Sequence, residues 1–577
     1  MKCLHFHIAA VVYVFLLRGI DCDLDWWKTA NFYQIYPRSF RDSDGDGVGD
    51  LNGIREGLPY LKYLGVHAIW ISPIFATPMW DMGYDISDFY SIHREYGTME
   101  DFERLLATAH DLDLRILLDF VPNHSSHENE WFKKSAAGDP EYKDFYIWHP
   151  GRDDPDDPQN KLPPSNWRSV FRGSAWTFHE GRGEYYLHQF GFYQPDLNYR
   201  NQKVVDTMKG VMRFWLDKGV DGFRVDALQN LFEVKLQSDG HYPDEPLSNT
   251  TTDKDSFEYV SHIYTMDQPE TVEMIYQWRE VMDEYTMKDK NMRTMMAETD
   301  SEISILMQYY GDGVRNGSHI PFNFKMLLYL KNDSNAIAFQ ERIHLWLDNL
   351  PKGCVPNWVM GNHDRGRIGT RLGADRIDLI NMLINTLPGI AITYYGEEIG
   401  MTDVFVTWEQ TVDPSACSKP EEQYEEFSRD PCRTPFQWDD TISAGFSTCP
   451  NTWLPVSPQF QQVNVKVQKS APRSHLTVYR QLLRLRHTET LQKGSVETRT
   501  YGENVLSVTR RLPGCDTFIT IANIGPFRES IDLRELFSGR LTFHIVAVNS
   551  KRLDGEIIRS PNLDLDPYEA FVLKGVA

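Results

Sequence analysis

The sequence predicts a (β/α)8 barrel with a subdomain inserted after its third strand and a C-terminal antiparallel β-sandwich. Three observations predict it. Eight short apolar runs recur along the chain, helix-period stretches fall between several of them, and the patterning turns to period two only near the C-terminus.

The runs that read as buried parallel strands are Tyr33–Tyr36, Ala68–Ser72, Arg115–Phe120, Gly222–Ala227, Thr294–Glu298, His319–Phe322, Trp358–Gly361 and Ile390–Tyr395. One intervening helix carries Phe102, Leu105, Leu106 and Ala109. Another carries Val204, Met208, Val211, Met212 and Trp215, again at spacings of three and four. The competing α/β architecture is an open doubly wound sheet, but no Gly-rich phosphate loop follows the first strand.

Between the third strand and Arg200 lies an insertion rich in Pro, Asp, Trp and Tyr, including Pro150–Pro158. It is too long for an ordinary βα loop and predicts a small subdomain over the barrel mouth. After a helix ending near Arg486, Val505–Arg510 and Thr517–Ala522 alternate as half-buried strands do. The expected division is a leader over 1–22, barrel over 23–124 and 199–490, inserted subdomain over 125–198, and C-terminal β-domain over 491–577.

The leader is read from Lys2, the apolar run Ile8–Leu17, Arg18 and the acidic segment from Asp21. Ten apolar residues suit a secretory signal cleaved near Cys22 and are too few to span a bilayer. No long apolar tail precedes Ala577, so no lipid anchor is expected. The protein is therefore expected to be secreted and extracellular. With Cys3 and Cys22 removed, Cys354, Cys417, Cys432, Cys449 and Cys515 remain. Five is odd, so at least one thiol is free or pairs between chains. Cys417 and Cys432, which enclose a polar loop, are the first expectation for a disulfide. Asn249, Asn316 and Asn332 each open an Asn-X-Ser/Thr acceptor, which predicts surface glycans.

Composition narrows the partner. Of 577 residues, 41% are hydrophobic and 24% charged, ordinary values for a globular protein. The net charge of −23 argues against nucleic acid and fits a neutral small-molecule partner.

Barrel enzymes carry their chemistry at the C-terminal ends of strands, and here those ends are polar. The third ends Asp119-Phe-Val-Pro-Asn123-His124, the fourth is Gly222-Phe-Arg224-Val-Asp226-Ala227, the fifth ends Ala297-Glu298, and the seventh ends Gly361-Asn362-His363-Asp364. A single acid at such a place reads as a helix cap. Three acids and two histidines on one predicted rim do not. Period two puts Arg224 and Asp226 on one side of a strand, where the guanidinium keeps the carboxylate ionised. Breaking a glycosidic bond needs two carboxyls in opposite protonation states. Asp226 suits the attacking role and Glu298 the proton-donating one. Asp364, with His124 and His363, is placed to hold the ring hydroxyls.

The four blocks Asp119–His124, Gly222–Ala227, Ala297–Thr299 and Gly361–Asp364 resemble the signature regions of the α-amylase superfamily, glycoside hydrolase family 13. Gly65–Pro73 and Gln194-Pro-Asp-Leu-Asn198 resemble its auxiliary regions, the latter in the form found in maltases and oligo-1,6-glucosidases. The likeness spans essentially the whole mature chain and points to the family's secreted insect-type maltases. It implies the barrel, the inserted subdomain, the C-terminal β-domain and retention of anomeric configuration. By motif match it implies Asp226 as nucleophile, Glu298 as general acid/base and Asp364 as transition-state stabiliser. It further implies substrate contacts from His124, Arg224 and His363, stacking and hydrogen bonding of the terminal glucose by Tyr84 and Asp85, a clamp from Arg429, and a subsite lining from Phe190. Asn123 also opens an acceptor sequon, but the likeness puts it on the floor of the catalytic pocket. Arg365 and Gly366 precede Arg367, the family arginine, in an unusual arrangement.

A second constellation is Asp42, Asp44, Asp46, Gly47, Val48 and Asp50. Oxygens at alternate positions with Gly at the sixth match the first nine positions of an EF-hand loop, but position twelve is Gly53, and no flanking helix pair is apparent. The alternative is a solvated acidic turn. Relatives with such a loop bind calcium there, so the resemblance implies a structural Ca2+ and no catalytic cofactor.

The expected function is an exo-acting α-glucosidase acting on small α-glucosides. The alternatives are a non-catalytic barrel relative serving as receptor or transporter-associated binding protein, an endo-acting amylase, and a transglycosidase. Ala227 bears on linkage. In similar proteins Val after the nucleophile accompanies α-1,6 preference, so Ala predicts α-1,4, with maltose and short maltodextrins favoured and sucrose as a further substrate.

Overall fold

The computed structural model describes residues 26–157 and 160–576, so the leader expected over 1–22 lies outside the described residues. Eight parallel strands form the barrel sheet: β1 (Asn31–Ile35), β2 (Ala68–Ile71), β3 (Arg115–Phe120), β4 (Gly222–Val225), β5 (Thr294–Ala297), β6 (Ile320–Pro321), β7 (Asn357–Val359) and β8 (Ile390–Tyr394). They pair in chain order from β1 to β6, and β8 joins β1 to β7. Every expected run holds a strand. Several expected ends overran, because the last residues leave the ladder to present side chains at the rim.

The seam between β6 and β7 carries no ladder. The side chain of Asn357 closes it, donating to Pro321 O at 2.6 Å while its oxygen accepts from the Asn323 amide at 2.9 Å. A buried carboxamide thus does what a strand pair does elsewhere, satisfying one backbone donor and one acceptor.

Strand alternation sorts the core into two layers. Phe32, Trp70, Leu117, Met296, Phe322 and Ile392 fill the barrel interior. Tyr33, Ile69, Leu118, Phe223 and Val225 face the surrounding helices. The helices carry strong local signals. Met99–Asp111 opens on a Thr98/Asp101 capping box, and Gln202–Lys218 ends on Gly219 at φ +103.

The insertion between β3 and the helix at Gln202 contains an antiparallel sheet of Trp148–His149, Glu184–Leu187 and Trp176–His179. The C-terminal domain sets a five-stranded antiparallel sheet against the two-stranded pair Glu529–Asp532 and Asn562–Leu565. Ile519, Ile521, Ile531, Leu563 and Leu565 pack between these layers. Its other side meets the barrel helix Ile377–Thr386, all ten residues of which are buried. There Arg510 donates to Thr386 O at 2.9 Å, and the Thr386 and Thr520 hydroxyls lie 2.7 Å apart.

Candidate active site

The polar strand ends converge on a cavity of ≈ 730 Å³. Asp226, Glu298 and Asp364, the three expected catalytic acids, line it together with Tyr84, His124, Phe190, His363 and Arg429. Arg224 lies beneath the wall, 1% exposed. On β4, Phe223 and Val225 turn outward while Arg224 turns inward with Asp226 after it, as period two requires.

Arg224 organises the reacting pair. Its Nη1 donates to Asp226 Oδ1 at 2.6 Å, and its Nη2 lies 2.6 Å from Glu298 Oε2. Asp119, beside Arg224 in the parallel ladder and wholly buried, accepts Nη1 at 2.8 and 3.0 Å. The Trp70 ring packs against the guanidinium, centroid 4.8 Å from Cζ, and screens it from water. One cation thus faces three carboxyls, and full ionisation would leave uncompensated negative charge in a dry cluster. Burial, opposed by Arg224, pushes Asp119 up to about 6 and Asp226 well above the ordinary carboxylate range.

Across the pocket, Asp364 Oδ1 accepts from Arg429 and Arg433, each at 3.1 Å. Burial opposes its ionisation, but His363 and the two guanidinium groups outweigh burial and hold Asp364 well below the usual range. His363 is itself fixed by Gln34 Nε2 at 2.8 Å and the Tyr84 hydroxyl at 2.7 Å, and its ring stacks on Tyr84 with 3° between planes. Burial pushes His363 down to about 3 and His124 down to about 4, so both are neutral hydrogen-bonding groups near pH 7.

Asp85, expected to contact the terminal sugar, does not line the cavity. Its carboxylate is buried in its own loop, accepting from Thr77 Oγ1 and the amides of Trp80 and Asp81 at 2.9–3.1 Å. The acid in the wall is Asp81, which meets Arg429 Nη2 at 3.0 Å and Gln194 Nε2 at 3.1 Å. Both acids flank Tyr84 in Asp81-Met-Gly-Tyr84-Asp85, and only the turn of the loop tells them apart. Gln194, inside a block already singled out, also reaches His124 Nε2 at 3.2 Å. Asp413 was not legible at all. It belongs to no motif yet binds Arg429.

Ala227 lines the cavity with a left-handed backbone, φ +46, and its amide donates to Glu298 Oε2 at 3.2 Å. Arg365 and Gly366 line the cavity as well. Arg367 turns away, buried and donating to Tyr395 O.

The expected Cys417–Cys432 disulfide is not formed. Cys432 is a buried thiol directed at the backbone oxygens of Arg429 and His363, while Cys417 is an exposed thiol facing Thr411 O. Enclosing a loop in sequence did not bring the two sulfurs together. Asn249, Asn316 and Asn332 are exposed, whereas Asn123 is 1% exposed and donates to Asp196 at 3.3 Å.

In the acidic loop, Asp42, Asp44 and Asp50 each bring one carboxylate oxygen within 4.8 Å of the others. Asp46 caps the Val48 amide at 2.8 Å instead of joining them. Asp50 also caps the helix Leu51–Leu64 through the Gly53 amide. Converging carboxylates from a short loop are an all-oxygen donor set of the kind hard cations take.

The sequence matches the alpha amylase catalytic domain over residues 34–494. It is 50% identical over 558 residues to Maltase A1 of Drosophila melanogaster, covering 96% of each chain. It is 48% identical over 539 residues to a salivary alpha-glucosidase of Aedes aegypti, covering 93% of each chain. Among solved structures, the alpha-glucosyl transfer enzyme XgtA superposes with a TM-score of 0.82 at 31% identity, covering 95% of this chain and 99% of that one.

Proposed function

The chain belongs to the α-amylase family, and from that premise we propose a retaining, exo-acting α-glucosidase that removes terminal α-1,4-linked glucose from maltose and short maltodextrins, with sucrose as a further substrate. The observation that carries this reading is the single Arg224 guanidinium holding Asp226 and Glu298 side by side in the pocket. Asp226 attacks the anomeric carbon while Glu298 protonates the departing oxygen, giving a glycosyl ester on Asp226. Glu298 then takes a proton from water, which attacks the same carbon and releases glucose as the α-anomer. Arg224 favours, against burial, the ionised form of Asp226 that the attack needs. Asp364, ionised beside Arg429 and Arg433, holds ring hydroxyls and favours the charge developing on the sugar.

Exo action is supported by the ion-paired wall of Asp81, Arg429 and Asp364, whose polar groups suit the hydroxyls of a terminal ring. A non-catalytic binding protein has no need of three acids with such pairing in one pocket. The test is incubation with a chromogenic α-glucoside and a panel of di- and oligosaccharides, with the first product followed by NMR. Glucose appearing first as the α-anomer is expected; early β-anomer excludes retention.

Around this core, the acidic loop is read as a structural Ca2+ site formed by Asp42, Asp44 and Asp50, with Asp46 and Val48, also expected as ligands, in the same loop. It plays no part in bond cleavage. Secretion with glycans on Asn249, Asn316 and Asn332 is supported by the leader-like N-terminus and the salivary relatives. Among the described residues no helix is long and apolar enough to cross a membrane.

A further inference from the structure

We propose that Asp413 is the positioning residue that sets the plane of Arg429 against the terminal sugar, an inference that rests on the α-glucosidase reading. Arg429 Nε lies 3.0 Å from both Asp413 oxygens, and Nη2 lies 2.6 Å from Oδ1. The Arg429 backbone amide donates to Oδ2 at 2.6 Å. One carboxylate therefore grips both the fork and the peptide of the same residue. A fork gripped on two nitrogens does not turn about its Nε–Cζ axis, so direction as well as charge is fixed. The contacts from Arg429 to Asp81 and Asp364 are longer, 3.0 and 3.1 Å, and those two acids line the cavity. Asp413 is wholly buried behind them.

The same plan occurs on the other side of the pocket. Arg224 binds two cavity acids, Asp226 and Glu298, and one wholly buried acid, Asp119. Each arginine thus has an anchor carboxylate behind it, leaving its remaining valence for groups that meet substrate. Asp413 is built for that part. Burial opposes its ionisation, but Arg429 and then Arg433 hold it below the usual range.

Asp413 also fixes where Arg429 stands. The Asp430 carboxylate accepts the amides of Val412 and Asp413 at 2.8 and 3.0 Å, reciprocating the bond from Asp413 to the Arg429 amide. The segment between is pinned at its base, and it contributes Ser415, Ser418, Lys419 and Phe427 to the cavity wall.

The test is a double-mutant cycle of Asp413→Asn and Arg429→Ala, read as kcat/KM for maltose and as Kd for the glucose-shaped inhibitor deoxynojirimycin. Asp413→Asn is expected to lower kcat/KM about 10²-fold, the scale of a misplaced contact group. On the Arg429→Ala background it is expected to cost nothing further, in rate or in inhibitor affinity. Asp430→Asn, which loosens the loop base without touching the guanidinium, is expected to lower the melting temperature and to add independently to Arg429→Ala. Additive losses for Asp413→Asn, or a wild-type value, overturn the proposal. Should Asp413→Asn fail to fold, Asp413→Ser enters the same cycle. A wild type inert toward every α-glucoside defeats the α-glucosidase reading instead, and the inhibitor cycle still decides the role of Asp413.

Discussion

Arg224 Nη2 lies 2.6 Å from Glu298 Oε2, so the proposed proton donor rests on the same guanidinium that holds the proposed nucleophile. The two acids are mechanically linked, and neither is free to drift when substrate enters. Asp226→Asn and Glu298→Gln keep shape and hydrogen bonding and are expected to fold. Each should lose about 10²–10⁴-fold or more in kcat, the usual worth of acid–base or nucleophilic help. Normal hydrolysis by either purified variant rules out the assignment.

Asp81 and Asp85 separate cleanly by experiment. Asp81→Asn removes a charge paired with Arg429 in the cavity wall and should raise KM and lower kcat/KM for maltose by about 10-fold or more. Asp85→Asn disturbs the loop from within and should act mainly on the melting temperature. The reverse pattern restores Asp85 as the sugar contact.

Linkage is decided beside Ala227. Ala227→Val should shift the kcat/KM ratio from maltose toward isomaltose by about 10–200-fold, the range of a methyl-scale change of fit. The backbone there is left-handed, which disfavours a β-branched residue, so the variant should also be less stable. Taking the ratio of two substrates cancels that loss. An unmoved ratio, or wild-type preference for isomaltose, refutes the reading.

If the acidic loop binds Ca2+, chelation should lower the melting temperature, and added Ca2+ should restore it. Turnover by protein that stays folded should hardly change, since the loop holds no cavity-lining residue. Melting indifferent to both treatments identifies a solvated acidic turn.

Buried titratable groups set an optimum of stability on the acid side of neutrality. Burial pushes His124 and His188 down to about 4 from an unfolded value near 6.5. The unfolded chain then binds more protons between those values, so stability falls as pH drops from about 6.5 toward 4. Burial raises Asp196 and Glu397 to about 8, so stability also falls as pH rises from about 4 toward 8. The two effects oppose each other between about 4 and 6.5, so melting curves from pH 4 to 9 should fall clearly only above about 6.5. His188→Gln should tilt the flat region so that stability declines already from about pH 4, and Asp196→Asn should weaken the fall above about 6.5; curves unchanged in these variants assign the pH dependence to other groups.

The barrel was legible because apolar runs of strand length recur in the right number and the helices between them carry their own periodicity and caps. Arg224 and Asp226 were legible for the same reason, two residues apart on one strand. What the sequence withheld is long-range geometry. Nothing local reveals that Asn357 closes the β6–β7 seam, that Asp81 rather than Asp85 turns toward Arg429, or that Asp413 arrives behind it from sixteen residues upstream in the chain. The Cys417–Cys432 expectation failed likewise, since sequence separation says nothing of the direction in which each sulfur points.

The helix Ile377–Thr386 has no water-facing side, because the C-terminal β-domain stands where solvent would otherwise be. A chain ending before that domain would leave this helix partly bare, an apolar cylinder with nothing to cover it. The last ninety or so residues are thus part of what keeps the barrel in water, although they line none of the cavity, and a chain truncated before them should aggregate in place of giving a trimmed enzyme.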